Sequence, residues 1–297
     1  MSFFFEEGAV VAEGTKKESG EGEEEEKEAK GGGGGEGEEA KGEGEEGGVA
    51  SNGATLPAPS RPGAFSLSVP QESAVNKIGH ALHDEDAAFR AFSRERNPRL
   101  LALLRSLRFE RPTPVQSMYI CKPPRLGGEV SPHQDACFLR TEPRRSVTGC
   151  WLALERAAVD NGCLWAVPGS HRGAATAEEE NGPFLGHGRV FGRRADGSVG
   201  WTSSGKGGEE QQPSGPPELS TEGAVPLEAA PGTLVVLDGA VVHFSRANDG
   251  EQPGPGGERA TSRHAYALHF VEGGRGLRWS AGNWLQRDAG KPFVPVY

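Results

Sequence analysis

Apolar residues recur at helical spacing from Ala74 onward, where Val75, Ile78, Leu82, Phe89 and Phe92 fall close to one face. Asn97-Pro98 interrupts that run, because proline disfavours the helical region for the residue before it. Leu100, Leu101, Leu104 and Leu107 then predict a second short amphipathic helix. After Pro114 the period changes, and residues 115–121, 146–154, 163–167, 233–237 and 264–271 read as strands. Asn161-Gly162, between two of these runs, is a tight-turn signal. Many short strands preceded by helix predict a mainly β protein with flanking helices, a jelly roll rather than a parallel sheet. Two polar stretches interrupt the pattern. Residues 196–223 are rich in Gly, Ser, Pro and Glu, and both they and residues 248–261 are expected to be flexible loops.

Upstream of this pattern the chain changes character. Residues 14–48 hold 13 Gly and 13 Glu, too little apolar surface to offset the entropy of ordering. Residues 1–72 are therefore expected to be a disordered acidic tail and linker, ahead of one domain at 73–297. Charge follows the same division. Residues 1–48 carry 16 Glu against 5 Lys, whereas the remaining 249 carry 27 Lys plus Arg against 26 Asp plus Glu. The formal charge of −10 thus belongs to the tail, and the nearly neutral remainder has no basic footprint for nucleic acid. No apolar run approaches the ~18 residues of a membrane span, and the start lacks the features of a signal peptide. The four cysteines never reach Cys-x-x-Cys spacing, so free thiols in a reducing compartment are expected. These features lead to the expectation of a cytoplasmic protein acting on a small molecule, without nucleic acid or membrane as partner.

Candidate chemistry centres on Ser131-Pro132-His133-Gln134-Asp135. Residues two apart on a strand share a side, so His133 and Asp135 would present an imidazole and a carboxylate to one point, with Gln134 facing away. A second imidazole, His243, follows the apolar run 234–237. Two histidines and one carboxylate on one face of a metal leave positions open, the arrangement used by non-haem Fe(II) oxygenases. His-x-Asp alone is weak, and each histidine in isolation also reads as a hydrogen-bonded core or surface residue. Arg263 begins an otherwise apolar strand-like run. Its planar fork suits a carboxylate such as the distal one of 2-oxoglutarate, although a strand-end solvent contact is the plainer alternative.

With those residues in view, the chain resembles the phytanoyl-CoA dioxygenase family of Fe(II)/2-oxoglutarate oxygenases. The matching text includes Asn76-Lys77-Ile78-Gly79-His80, Val115-Gln116-Ser117-Met118-Tyr119, Gly127-Gly128-Glu129-Val130 leading into the His133 motif, Pro168-Gly169-Ser170-His171, and Asn283-Trp284-Leu285-Gln286. The resemblance runs from about residue 74 to the end. It implies a double-stranded β-helix with His133, Asp135 and His243 as Fe(2+) ligands, and 2-oxoglutarate and O2 as co-substrates. It places Arg263 on the distal carboxylate, helped by Ser245, and puts Trp151, Met118 and Lys77 along the co-substrate or its approach. Read from the residues alone, Trp151 also fits core packing, Met118 gap filling and Lys77 a solvated charge on a helix. Likewise, His171 is expected to be a loop anchor or substrate contact, and His80 and His83 to line the helix.

Related halogenases lack the carboxylate that Asp135 keeps, which points to hydroxylation of a small organic or acyl substrate. A catalytically inactive, metal-binding jelly roll with an acidic interaction tail is the alternative. One departure stands out: family members usually begin with a strand and helix that complete one sheet, and the Glu/Gly tail replaces them. One sheet is therefore expected to lack an edge strand. The oligomeric state is not legible.

Overall fold

The computed structural model describes residues 2–5, 10–12, 65–67, 74–94, 96–172, 185–203, 215–250 and 261–297. In chain order, β1 (Ser2–Phe5), β2 (Val10–Ala12), β3 (Phe65–Leu67) and β4 (Val75–His80) precede three helices, α1 (Leu82–Glu85), α2 (Ala87–Ser93) and α3 (Pro98–Ser106). Then come β5 (Pro112–Ile120), β6 (Val130–His133), β7 (Thr141–Glu142), β8 (Thr148–Ala153) and β9 (Leu164–Ala166). The chain continues with β10 (Arg189–Arg193), β11 (Val199–Ser203), β12 (Val225–Leu227) and β13 (Leu234–Asp238). It ends with β14 (His243–Ser245), β15 (Ala265–Glu272) and β16 (Arg278–Trp279).

Two antiparallel sheets dominate. One has the order β1-β4-β5-β15-β8-β13, the other β12-β9-β14-β6. From β5 to β15 the main strands pass back and forth between them, the winding of a jelly roll. The larger sheet is covered on both faces. Tyr266, Leu268, Phe270 and Cys150 point to the helices and meet Leu82, Leu100 and Leu104. Trp151, Ala153, Ala265 and Ala267 point the other way, into a core shared with Leu164 of the smaller sheet. That period-2 division is what the sequence predicts for 146–154 and 264–271. Each fully buried Leu or Phe in these layers contributes about 1.5–3 kcal/mol.

Three expectations need correction. The helix expected from Ala74 begins only at Leu82, because Val75–His80 is strand β4, paired to β5 through Lys77–Ile120 and Ile78–Tyr119. Val75, Ile78 and Leu82 satisfy a helical spacing, but the free edge of β5 offers backbone partners to the whole segment, and pairing outweighs the local pattern. Lys77 and His80 are therefore strand residues. Second, the sheet edge is not bare: β4 flanks β5, and β1 pairs with β4. The disordered tail expected over residues 1–72 thus includes three strands, while its Glu/Gly run lies outside the described residues. Third, the loop expected over 196–223 starts with strand β11, which forms a hairpin with β10. Residues 204–214, and 251–260 of the second expected loop, lie outside the described residues.

The Asn97-Pro98 break has a local cause. Asn97 caps α3, its side chain accepting from Leu100 N at 3.1 Å, and Pro98 occupies the first turn, where its missing N–H is not needed. Asn161-Gly162 ends a 3-10 turn between the sheets. Gly162 has φ +79°, and a Cβ there would lie 2.7 Å from the Arg246 carbonyl, so only glycine fits.

A candidate metal centre inside the jelly roll

Register sets the site. In the smaller sheet His243 pairs with His133 on one side and Ala166 on the other, so the two imidazoles lie side by side, their ring centroids 4.2 Å apart. Asp135 reaches them differently from the strand expectation. Strand β6 ends at His133, and Asp135 opens a 3-10 turn, Asp135–Cys137, held by Ala136 N donating to the Gly239 carbonyl. Gln134 is buried too, its amide donating to the Ala240 carbonyl.

The ligand-type atoms of His133, Asp135 and His243 all lie within 4.8 Å of one another. Nδ1 of His133 donates to the Ser131 carbonyl at 2.9 Å, and Nδ1 of His243 to the Val241 carbonyl at 3.0 Å. Each bond fixes the tautomer that leaves the Nε2 lone pair facing the carboxylate, as a metal ligand needs. Burial, and then the charge of His243, push the His133 imidazole down to about 4, so it presents a lone pair at neutral pH. Burial alone would raise the Asp135 carboxyl, but His269 and His243 beside it hold it below the usual carboxylate range. The donor set is therefore two imidazoles whose Nε2 atoms face an ionised carboxylate, which fits Fe(2+).

A cavity of about 390 Å³ opens on these three residues, and its lining includes Arg263, Ser245, Trp151, Met118 and Lys77. The expected metal ligands and the residues expected around the co-substrate thus line one space. The larger sheet explains how. Its inward rows run Met118–Ala267–Trp151 and Gln116–His269–Gly149 across β5, β15 and β8, with Lys77 one row away opposite Ile120. Arg263, just before β15, is 1% exposed, and its guanidinium lies 5.3 Å from the centre of the Trp151 ring. Its backbone N–H donates to the Lys122 carbonyl, the same oxygen that accepts from the Asn248 side chain. Ser245 Oγ is buried in the cavity wall with no hydrogen-bond partner among the described residues. A buried hydroxyl without a partner is what a bound carboxylate would satisfy.

Other residues were placed less well from sequence. His171 sits in a 3-10 turn whose Ser170 does the anchoring: Ser170 Oγ accepts from Val242 N at 2.9 Å, next to His243. His80 lies in β4, bonded to Gln116 at 3.0 Å, whereas His83 does lie in the helix, fully buried against Ser117. His269 was missed altogether, although its Nε2 is 3.3 Å from Asp135 Oδ2. The signal was parity: Arg263, Ala265, Ala267 and His269 alternate onto one face.

Residues 61–254 match the family model described as phytanoyl-CoA dioxygenase (PhyH), and the chain belongs to that family. Phytanoyl-CoA dioxygenase domain-containing protein 1 of Mus musculus is 41% identical over 237 residues, 77% of this chain and 68% of that protein. Phytanoyl-CoA dioxygenase 1 of Oryza sativa subsp. japonica is 40% identical over 227 residues, covering 76% and 67%. Among solved structures, EctD from S. alaskensis in its apoform is 18% identical, with a TM-score of 0.47, over 74% of this chain and 64% of that one. Among the described residues no helix is long and apolar enough to cross a membrane.

Proposed function

We propose that the protein is an Fe(II)- and 2-oxoglutarate-dependent dioxygenase that hydroxylates a small organic or acyl substrate, with succinate and CO2 as co-products. The observation that carries this reading is the convergence of two chemistries in one cavity: a His133/Asp135/His243 trio and a buried Arg263 beside the Ser245 hydroxyl. A metal site alone would need no second cation at that depth.

Iron bound by the trio, with 2-oxoglutarate and O2, would supply the oxidising power to convert a C–H bond to C–OH. The chain's own residues do the rest. His133, Asp135 and His243 bind on one face and leave positions open for the co-substrates. Arg263 grips the distal carboxylate with its fork, and Ser245 donates to the same group. Met118 and Trp151 pack along the chain of the keto acid and keep water out, while Lys77 contributes charge at its approach. On the far side Phe138 packs against Trp201 at 5.2 Å, with both rings lining the cavity, which suits an apolar substrate portion.

The test is release of CO2 from 2-oxoglutarate by the purified protein with added Fe(II). Iron-dependent release by the wild type and background release by Asp135→Ala are expected; equal release by both sinks the assignment. The non-catalytic binding module has no specific observation in its favour, since Asp135 stands at the carboxylate position.

A further inference from the structure

Building on that reading of the metal trio, we propose that His269 is a positioning residue for Asp135. It holds the carboxylate oxygen that faces away from the other two imidazoles and so sets which oxygen meets the metal.

Asp135 presents its two oxygens to different partners. Oδ1 lies 3.9 Å from His133 Nε2 and 3.8 Å from His243 Nε2, whereas Oδ2 lies 3.3 Å from His269 Nε2. An ionised carboxylate only accepts, so His269 Nε2 carries the proton and donates it to Oδ2. His269 Nδ1 is buried with no hydrogen-bond partner among the described residues, so it is Nε2 that ties the ring to Asp135. His269 stands apart from the trio whose ligand atoms converge, so its role is to orient rather than to ligate.

The backbone gives this contact its importance. Strand pleat aims His133 and His243, but Asp135 lies in a 3-10 turn past the end of β6, where no sheet register restrains its side chain. Rotation about the Cβ–Cγ bond would exchange the two oxygens or offer both at once. His269 blocks that rotation from a rigid platform: β15 runs between β5 and β8, pairing His269 with Gln116 and with Gly149. Gly149 completes the clamp by absence. A Cβ there would lie 2.9 Å from Asp135 Oδ2 and 3.6 Å from His269 Cδ2, so a larger residue would displace the carboxylate from its donor. With Oδ2 engaged, a single oxygen is left for the metal, which keeps the remaining positions open for co-substrates.

The test uses Co(II), a spectroscopically visible stand-in for Fe(II), titrated into the purified full chain by calorimetry and visible absorption. His269→Leu removes the donor and should weaken Co(II) binding by roughly 10–100-fold and shift the absorption bands, the size seen for lost outer contacts to metal ligands. His269→Gln, whose side-chain N–H reaches similarly far, should recover most of the loss. Gly149→Ala, which touches neither side chain's chemistry, should weaken binding by crowding Oδ2. Wild-type Co(II) affinity and spectrum in His269→Leu overturn the proposal. So does a His269→Gln protein as weak as His269→Leu, since packing rather than hydrogen bonding would then be at work. If His269→Leu does not fold, unchanged affinity in Gly149→Ala overturns it. A wild type that takes up no Co(II) refutes the metal trio and the positioning role together. One that takes up Co(II) but never releases CO2 refutes only the proposed activity.

Discussion

Asp84 and Asp135 both lie against histidines inside this fold, yet their surroundings differ in kind. Asp84 is held by Arg94 at 2.5 Å, Arg287 at 2.7 Å and His83 at 3.2 Å, while Ser117 bonds the other ring nitrogen of His83 at 2.7 Å. Arg94 also donates to the Val294 carbonyl, so the cluster ties α1, the segment after α2 and the C-terminal segment together. Asp135 faces the imidazoles of His133, His243 and His269, in a wall that also holds the Ser245 hydroxyl, without a hydrogen-bond partner among the described residues. The first cluster has its donors and acceptors matched. The second has lone pairs converging on a cavity. Histidine beside aspartate is therefore satisfied within the fold in one place and open to a ligand in the other, and the difference lies in what is left unsatisfied.

That contrast can be broken by substitution. Asp135→Ala should reduce CO2 release to background while the protein remains folded, read by paired activity and unfolding measurements. Arg263→Ala should raise the half-saturating 2-oxoglutarate concentration by roughly 100-fold, the scale of about 3 kcal/mol for a lost buried charge contact. An unaltered value refutes its assignment to the co-substrate. Asp84→Asn should do the reverse of Asp135→Ala: a loss of about 2 kcal/mol of stability, with turnover per folded molecule unchanged.

Its pH dependence has a definite sign. Burial alone would raise the Asp84 carboxyl, but His83, Arg94 and Arg287 hold it below the usual carboxylate range. A depressed value contributes stability above the unfolded value of about 4 and loses it as pH falls through the folded one. The stability gap between wild type and Asp84→Asn should thus be full at neutral pH and shrink below about pH 4, as denaturant titrations across that range will show. The smallest effects compare two serines. Ser117→Ala, which strips the partner from buried His83, should cost about 1–3 kcal/mol of stability. Ser245→Ala should leave stability near wild type and raise the half-saturating 2-oxoglutarate concentration several-fold, about 1 kcal/mol for one hydrogen bond.

Much of this is legible in the sequence. The strand runs around Met118, Trp151, Leu164, Val236 and Leu268 announced themselves through apolar alternation, and α3 through its leucine spacing and the Asn97-Pro98 start. His133, Asp135, His243 and Arg263 were legible as residue types unusual for their settings. Other features were hidden for reasons of length or ambiguity. Strand β14 has three residues, too few to show a period. Strand β4 carries a spacing compatible with either helix or strand, and only the open edge of β5 decides. The tail's composition spoke of disorder, yet Ser2–Phe5 finds backbone partners on β4.

By itself, then, the sequence determined the list of chemical groups, the alternation that divides each long strand into two faces, and the turns that must carry glycine or proline. These are local properties, set by side-chain chemistry and by periods of two and of about 3.6 residues. The tertiary structure decided what those groups meet. Register across β5, β15 and β8 put His269 against Gly149 and opposite Asp135, and pairing of β14 with β6 brought two histidines 110 residues apart side by side. Whether a buried polar atom is matched or left facing a cavity depends on its neighbours in space, and chain-distant neighbours are set by sheet register rather than by local sequence.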